Sequence, residues 1–428
     1  MLIELLDKRK KEIFILILLT LFFYRSPFIF INGRFMAEEG EIFFANAYKN
    51  NFFYSIIFVD FVSGYLNFWA NISGIFSNFF DLKIAPLISN YLSLIPKILI
   101  IYFVLYTNFL ITKNSWQKIL FCSLVFICPQ NVPEIWMNSI NSQIFFAILA
   151  FIILFTEYQN NKINYLNFFL ILISGLSGVY SCILTPIFFF KYFIFKKAQD
   201  LLNFLTILFC TIVQLLIVFF SKFSGELYQG KLHSINFELI SNFFYNVILK
   251  VFFGSGLIKF LYISISSNLT VTLLVSFVSV LFLIFFIYTF SKDFLQTLPK
   301  DKFILISLIY SFFATSSVVL VGGVSQYVGG RYAALPSFFL LCFVFYSIPI
   351  LKNKITKFFM IILIIFSIGI GFYEFRPVNK NLVHNHHTLK NLDCINCPNW
   401  PTEVKKFKVD NNYYLKIWPY PNKTMKLN

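Results

Sequence analysis

Long apolar runs alternate with short polar gaps along most of the chain. The first run, Ile13 to Ile31, follows Lys8, Arg9, Lys10 and Lys11. Ile84–Tyr106, Ile119–Cys128, Ile140–Phe155, Ile163–Tyr180, Ile183–Phe195 and Leu201–Phe220 come next. Leu269–Phe290, Phe303–Val321, Ala333–Ile350 and Phe358–Tyr373 complete the series. Runs of this kind fit a hydrocarbon core of ~30 Å, and only helices satisfy their own backbone there. The pattern predicts an all-α integral membrane protein with about eleven transmembrane helices, residues 1–373, and a tail, 374–428.

Two long gaps interrupt the alternation. Residues 32–83 are aromatic and polar by turns, carrying Asp60, Tyr65, Trp69 and Asp81, and predict one or two helices lying in the outer interface. Residues 222–262 form a second long outer segment with Glu226, His233 and Glu238. Most lysines fall in the gaps expected inside, which sets the N-terminus in the cytoplasm and the tail outside.

Composition agrees with this picture. Of 428 residues, 58% are hydrophobic and only 13% charged, against about a quarter charged in soluble domains. A net charge of +16 would suggest nucleic acid in a soluble protein, but here the lysines are spread between apolar runs, which argues against nucleic-acid binding. No phosphate-binding Walker loop, dinucleotide fingerprint or serine-nucleophile motif occurs, so an ATP-driven pump is set aside. Nor do internal repeats suggest the inverted halves of a transporter.

Chemistry gathers at three places. Just after the first run, Glu38, Glu39 and Glu41 put three carboxylates in four positions. If 37–48 is helical, Glu38, Glu41, Ala45 and Tyr48 share a face, with Glu39, Phe43 and Asn46 beside it. Acids in a first turn complement the helix dipole, which accounts for one or two carboxylates; a general base or metal-binding acid is the sharper alternative.

The second place is Arg331, which follows a glycine-rich stretch and opens a membrane helix beside Tyr332. A guanidinium offers a planar fork to phosphate; the alternative is an arginine snorkelling to the interface. The polar run 130–143 also belongs here. Asn138, Asn141 and Ser142 recur at helical spacing, with Gln143 following, and point either into a cavity or into interhelical packing.

The third is the tail. Cys394-x-x-Cys397, with His384, His386 and His387 upstream, admits a disulfide, free thiols or a metal site. Asp393 and His233 are outlying candidates. The other five cysteines lie in or beside apolar runs, as small buried residues do.

Glu38-Glu39-Gly40-x-x-Phe43-x-Ala45-x-Ala47, directly after the first span, resembles the first outer loop of GT-C-type membrane glycosyltransferases. The resemblance implies a sugar carried on polyprenyl phosphate and a catalytic acid in that loop, matched here by Glu38 and Glu39. The usual first acid of that pair is often Asp. The tail, Cys394 to Val404 with Leu415-x-Ile417-Trp418-Pro419, looks like that of uncharacterised bacterial multi-pass membrane proteins.

The expectation is therefore a GT-C-like enzyme of a bacterial inner membrane. It moves a sugar from a lipid-linked donor to an envelope glycan or lipid acceptor. Glu38 or Glu39 acts as base or as ligand to a divalent cation, Arg331 and Tyr332 meet the donor, and Tyr65, Asn138, Asn141 and Gln143 shape the pocket. Rival readings are a transporter or flippase of a lipid-linked oligosaccharide, which needs no base, and a non-catalytic assembly subunit.

Overall fold

The computed structural model describes residues 9–130, 135–157, 163–225, 237–256, 277, 298–322, 330–375, 399–418 and 423–428. Among the described residues helix dominates, with two two-stranded sheets of two residues per strand. Among the described residues, five helices are long and apolar enough to cross a membrane. They are Ala85–Tyr106, Ala198–Phe223, Leu239–Gly256, Pro299–Leu320 and Lys354–Glu374. Leu239–Gly256 falls inside the stretch read from sequence as a second outer segment. Leu269–Phe290 lies outside the described residues.

Several expected spans are shorter helices. Ser115–Phe126, Ser142–Leu154 and Tyr165–Leu176 have only about 18–20 Å of helical rise, against ~30 Å of hydrocarbon. The first apolar run is also broken. It forms Lys10–Arg25 and Pro27–Asn32, with Ser26 in non-helical backbone between them. Proline supplies no N–H to the preceding turn and disfavours helical backbone at the residue before it.

Two compact units divide the chain. One comprises 1–109, 133–228 and 377–428; the other comprises 110–132 and 229–376. In the first, the long helix Ala198–Phe223 is tied to the 32–83 stretch through Gln214. Its side-chain oxygen accepts Leu66 N–H at 3.0 Å while its amide donates to Leu66 O at 3.0 Å. Asn67 caps the helix Phe68–Asn78 and donates to Ile140 O at 3.1 Å. Gly74 lets that helix lie flat on residues 43–44, since a Cβ there would press on the Phe43 carbonyl. Strands Asn108–Phe109 and Thr156–Glu157 pair antiparallel, joining the ends of Ile95–Tyr106 and Ser142–Leu154.

The tail belongs to this unit. Its helix Trp400–Val409 and the strands Leu415–Lys416 and Thr424–Met425 share one apolar core with Phe35, Phe44, Ala45 and Ala85. Trp400 meets Phe35 edge-on at 5.6 Å and donates its indole N–H to Leu82 O at 2.8 Å. Glu403, fully buried, fastens the fold of the tail by accepting from Lys406, the Tyr413 hydroxyl and Lys416 N–H.

In the second unit, Pro299–Gly322 packs along Arg331–Ser347. Ser337 donates to Val247 O at 2.9 Å and Ser367 to Val251 O at 2.7 Å, so hydroxyls stitch neighbouring helices together. Cys122, Cys128, Cys182, Cys210 and Cys342 are buried free thiols, as expected of cysteines in apolar runs.

Candidate functional site

The acidic stretch does not form a plain α-helix. Glu39–Phe44 is a π-helical turn that continues into the α-turns Ala45–Lys49. Ala37, two residues before it, is left-handed at φ 43°. A non-glycine residue held there is strained, and π-turns recur at functional sites.

This backbone sends the three carboxylates into three environments. Glu39 is 2% exposed. Its Oε1 accepts from Ser89 Oγ at 2.6 Å, Ser139 Oγ at 2.7 Å and Ser139 N at 3.0 Å. Its Oε2 accepts Met36 N at 3.1 Å, and Glu39 N–H returns to Met36 O at 2.9 Å. That exchange closes a three-residue turn at the start of the π-helix, with the Glu39 side chain reaching back to a preceding N–H. Ser73 extends the hydroxyl chain to Ser89 at 2.8 Å. Burial pushes the Glu39 carboxyl above its ordinary range, and the hydrogen bonds from Ser89, Ser139 and Met36 oppose the shift.

Glu41 is exposed and ion-paired to Lys423 of the tail at 2.7 Å. Glu38 is half-buried and has no hydrogen-bond or ion-pair partner among the described residues. The carboxylate of Glu41, chiefly, raises the Lys423 ammonium, with Glu38 adding a smaller share. Lys423 thus pairs with Glu41 and feels the Glu38 charge more weakly. Among the described residues, no three His, Cys, Asp or Glu side chains gather where one metal ion could be held.

The polar run is built differently from the expected helix face. The helix begins at Ser142, so Asn138 and Asn141 lie in the turn before it. Asn138 Oδ1 accepts Ile140 N at 2.8 Å, and its amide lies 2.8 Å from Met36 Sδ. The Asn138 amide thus serves the turn that leads into the helix, and both asparagines are buried there. Gln143 donates to the Tyr65 hydroxyl at 3.1 Å, so these two predicted pocket residues do meet. Tyr65 closes a tight turn from Asp60, which also accepts from Ser63. Residues 131–134 of this run are outside the described residues.

Sequence reasoning passed over Ser73, Ser89, Ser139 and Asn90. Asn90 clamps the entry to the acidic turn. It accepts Arg34 N at 2.8 Å and donates to Arg34 O and Met137 O. Ser89 and Asn90 were visible as polar residues within an apolar run, a signal that should have been weighed.

In the second unit, Arg331 opens the helix Arg331–Ser347 after Gly330, whose φ is 60°. Its Nη2 lies 3.3 Å from the Tyr332 hydroxyl, and its guanidinium sits 5.2 Å from that ring's centre. The glycine-rich stretch at 323–329, Cys394, Cys397, Asp393, the three tail histidines and His233 lie outside the described residues.

Comparison with protein-family models, with curated proteins and with solved structures found no match for the chain.

Proposed function

We propose that the protein is a membrane glycosyltransferase of GT-C type, working at the outer face of a bacterial inner membrane with its N-terminus in the cytoplasm. It takes a sugar from a polyprenyl-phosphate donor and passes it to an envelope glycan or lipid. On this reading about eleven helices cross the membrane and residues 32–83 lie partly in the interface.

One observation carries the reading. Beside a carboxylate wholly engaged by the protein, Glu39, stands a half-exposed carboxylate, Glu38, that makes no hydrogen bond or ion pair among the described residues, on a strained turn. A general base must reach the acceptor's proton, which Glu38 can do and the sealed Glu39 cannot. Glu38 is therefore the proposed base and Glu39 the group that fixes its backbone. Arg331, stacked on Tyr332, is the proposed contact for donor phosphate, since a guanidinium makes paired charge-assisted bonds to it.

The test is transfer from a polyprenyl-phosphate sugar donor by the purified protein, comparing Glu38→Gln with Glu39→Gln. Loss of a general base costs ~10²–10⁴ in rate. Glu38→Gln is expected to lose that much with the fold intact, and Glu39→Gln to lose stability first. Wild-type transfer by Glu38→Gln would remove the base and favour a non-catalytic envelope-assembly role.

A further inference from the structure

We infer that the C-terminal segment is a positioning element of the acidic site, acting through Trp418 and Ile417 on the backbone that presents Glu38. The inference rests on the transferase reading for its meaning, though not for its geometry.

Trp418 forms a parallel bridge across Met36. Its carbonyl accepts Ala37 N–H at 2.6 Å, and its N–H donates to Phe35 O at 3.2 Å. The tail therefore grips the residues on both sides of Met36, while Met36 itself exchanges hydrogen bonds with Glu39. Ala37, the strained residue between Met36 and Glu38, has its only N–H committed to the tail. A strained conformation persists only where its surroundings over-determine it, and here the tail supplies that constraint.

Side chains reinforce the grip. Ile417 is 1% exposed and packs in one core with Phe35 and Phe44. A Cβ on Gly40 would press on Phe35 Cβ and come within 3.3 Å of Ile417 Cδ1, so the π-turn packs closely against the tail. Further out, Lys423 pairs with Glu41, and Lys49 donates to Asn428 O at 3.1 Å. These contacts join positions about 380 residues apart in sequence. The acidic turn is thus held on one side by Ser89 and Ser139 and on the other by the tail.

A misplacement of ~1 Å in a catalytic group costs about 10²-fold in rate. Ile417→Asp, which puts a carboxylate into the shared core, is expected to lower kcat about that much while the KM for a polyprenyl-phosphate sugar stays within a few-fold. Carbodiimide labelling of carboxylates, read by peptide mass spectrometry on the full-length protein, gives a readout independent of transfer. Buried Glu39 resists labelling in the wild type and becomes labelled in Ile417→Asp.

Lys423→Glu covers the case in which Ile417→Asp does not fold. Its kcat should fall about two- to fivefold, the scale of an exposed pair, and recover in the swap with Glu41→Lys. Unchanged labelling and unchanged kcat in Ile417→Asp would overturn the inference, as would a swap that fails to rescue should Lys423→Glu be the only variant that folds. If labelling responds but even the wild type transfers no sugar, the transferase reading fails and the tail's grip on the turn stands.

Discussion

Ser139 gives both its backbone N–H, at 3.0 Å, and its hydroxyl, at 2.7 Å, to the same oxygen of Glu39. Ser89 adds a third donor to that oxygen at 2.6 Å, and Met36 N–H satisfies the other. A buried carboxylate is tolerable only when it is hydrogen-bonded in this way. Glu39 therefore anchors the turn, and the half-buried Glu38 beside it takes no part in that network.

The anchor can be weakened one donor at a time. Hydrogen bonds to charged groups contribute ~1.5–3 kcal/mol each. Ser139→Ala keeps the amide contact and should cost about that amount in unfolding free energy. Ser89→Ala also strips Ser73 of its partner and should cost about 1 kcal/mol more. Denaturant melts of both variants, read by tryptophan fluorescence in one detergent, check the order. A loss below ~0.5 kcal/mol in each would mean that Glu39 is not the anchor described.

The same carboxyl sets a pH dependence. Burial raises its folded pKa above the unfolded value, so between the two the folded state holds the extra proton. Stability from this group is complete below the ordinary carboxylate range and declines as pH rises through the raised value. The melting temperature of the wild type should fall over that window, and the fall should be shallower in Glu39→Gln. Parallel profiles for the two proteins would remove Glu39 as the source.

Much of this was legible from the pattern of apolar runs. Ile84–Tyr106 and Phe358–Tyr373 are read off directly, because helix in hydrocarbon needs only length and apolarity. The acidic turn was also found, since three carboxylates stand out in a chain so poor in charge. Its form was not. A π-turn differs from an α-turn by one residue per turn, which residue types do not encode. The tail's place on Phe35 and Met36 was hidden for another reason: it joins distant residues through backbone bonds and ordinary apolar packing. Asn138 misled because helical spacing and a capping turn both favour asparagine.

Arg331 separates two uses of one charge. Lysine snorkels as well as arginine does, but it offers phosphate only a point charge. If Arg331 grips the donor, Arg331→Lys weakens donor use and Arg331→Ala nearly abolishes it at unchanged expression. Stacking on Tyr332 predicts that Tyr332→Ala mimics the lysine variant in part, because the ring helps to aim the guanidinium. Donor titration of the three purified variants is the measurement, and wild-type curves for all would dismiss the phosphate contact.

The last prediction concerns topology. Tail and acidic turn touch, so both lie on one side of the membrane and an even number of crossings separates them. The ten runs expected from Ile84 to Tyr373 meet that condition. Counting Leu239–Gly256 as a further crossing makes the number odd, so another element must change with it. The pairing of Asn108–Phe109 with Thr156–Glu157 requires Ser115–Phe126 and Ser142–Leu154 to cross together or not at all. The compensating change therefore falls elsewhere. Lys408 and Asp81, an exposed pair 3.7 Å apart, offer a direct check. Cysteines placed singly at 408 and 81, with Cys394 and Cys397 changed to serine, should react with the same impermeant maleimide from the same side. The five buried thiols should stay silent in intact cells. On the proposed topology that side is the outside. Labelling of one position from outside and the other only after permeabilisation would break the tail contact, and with it the positioning role of Trp418.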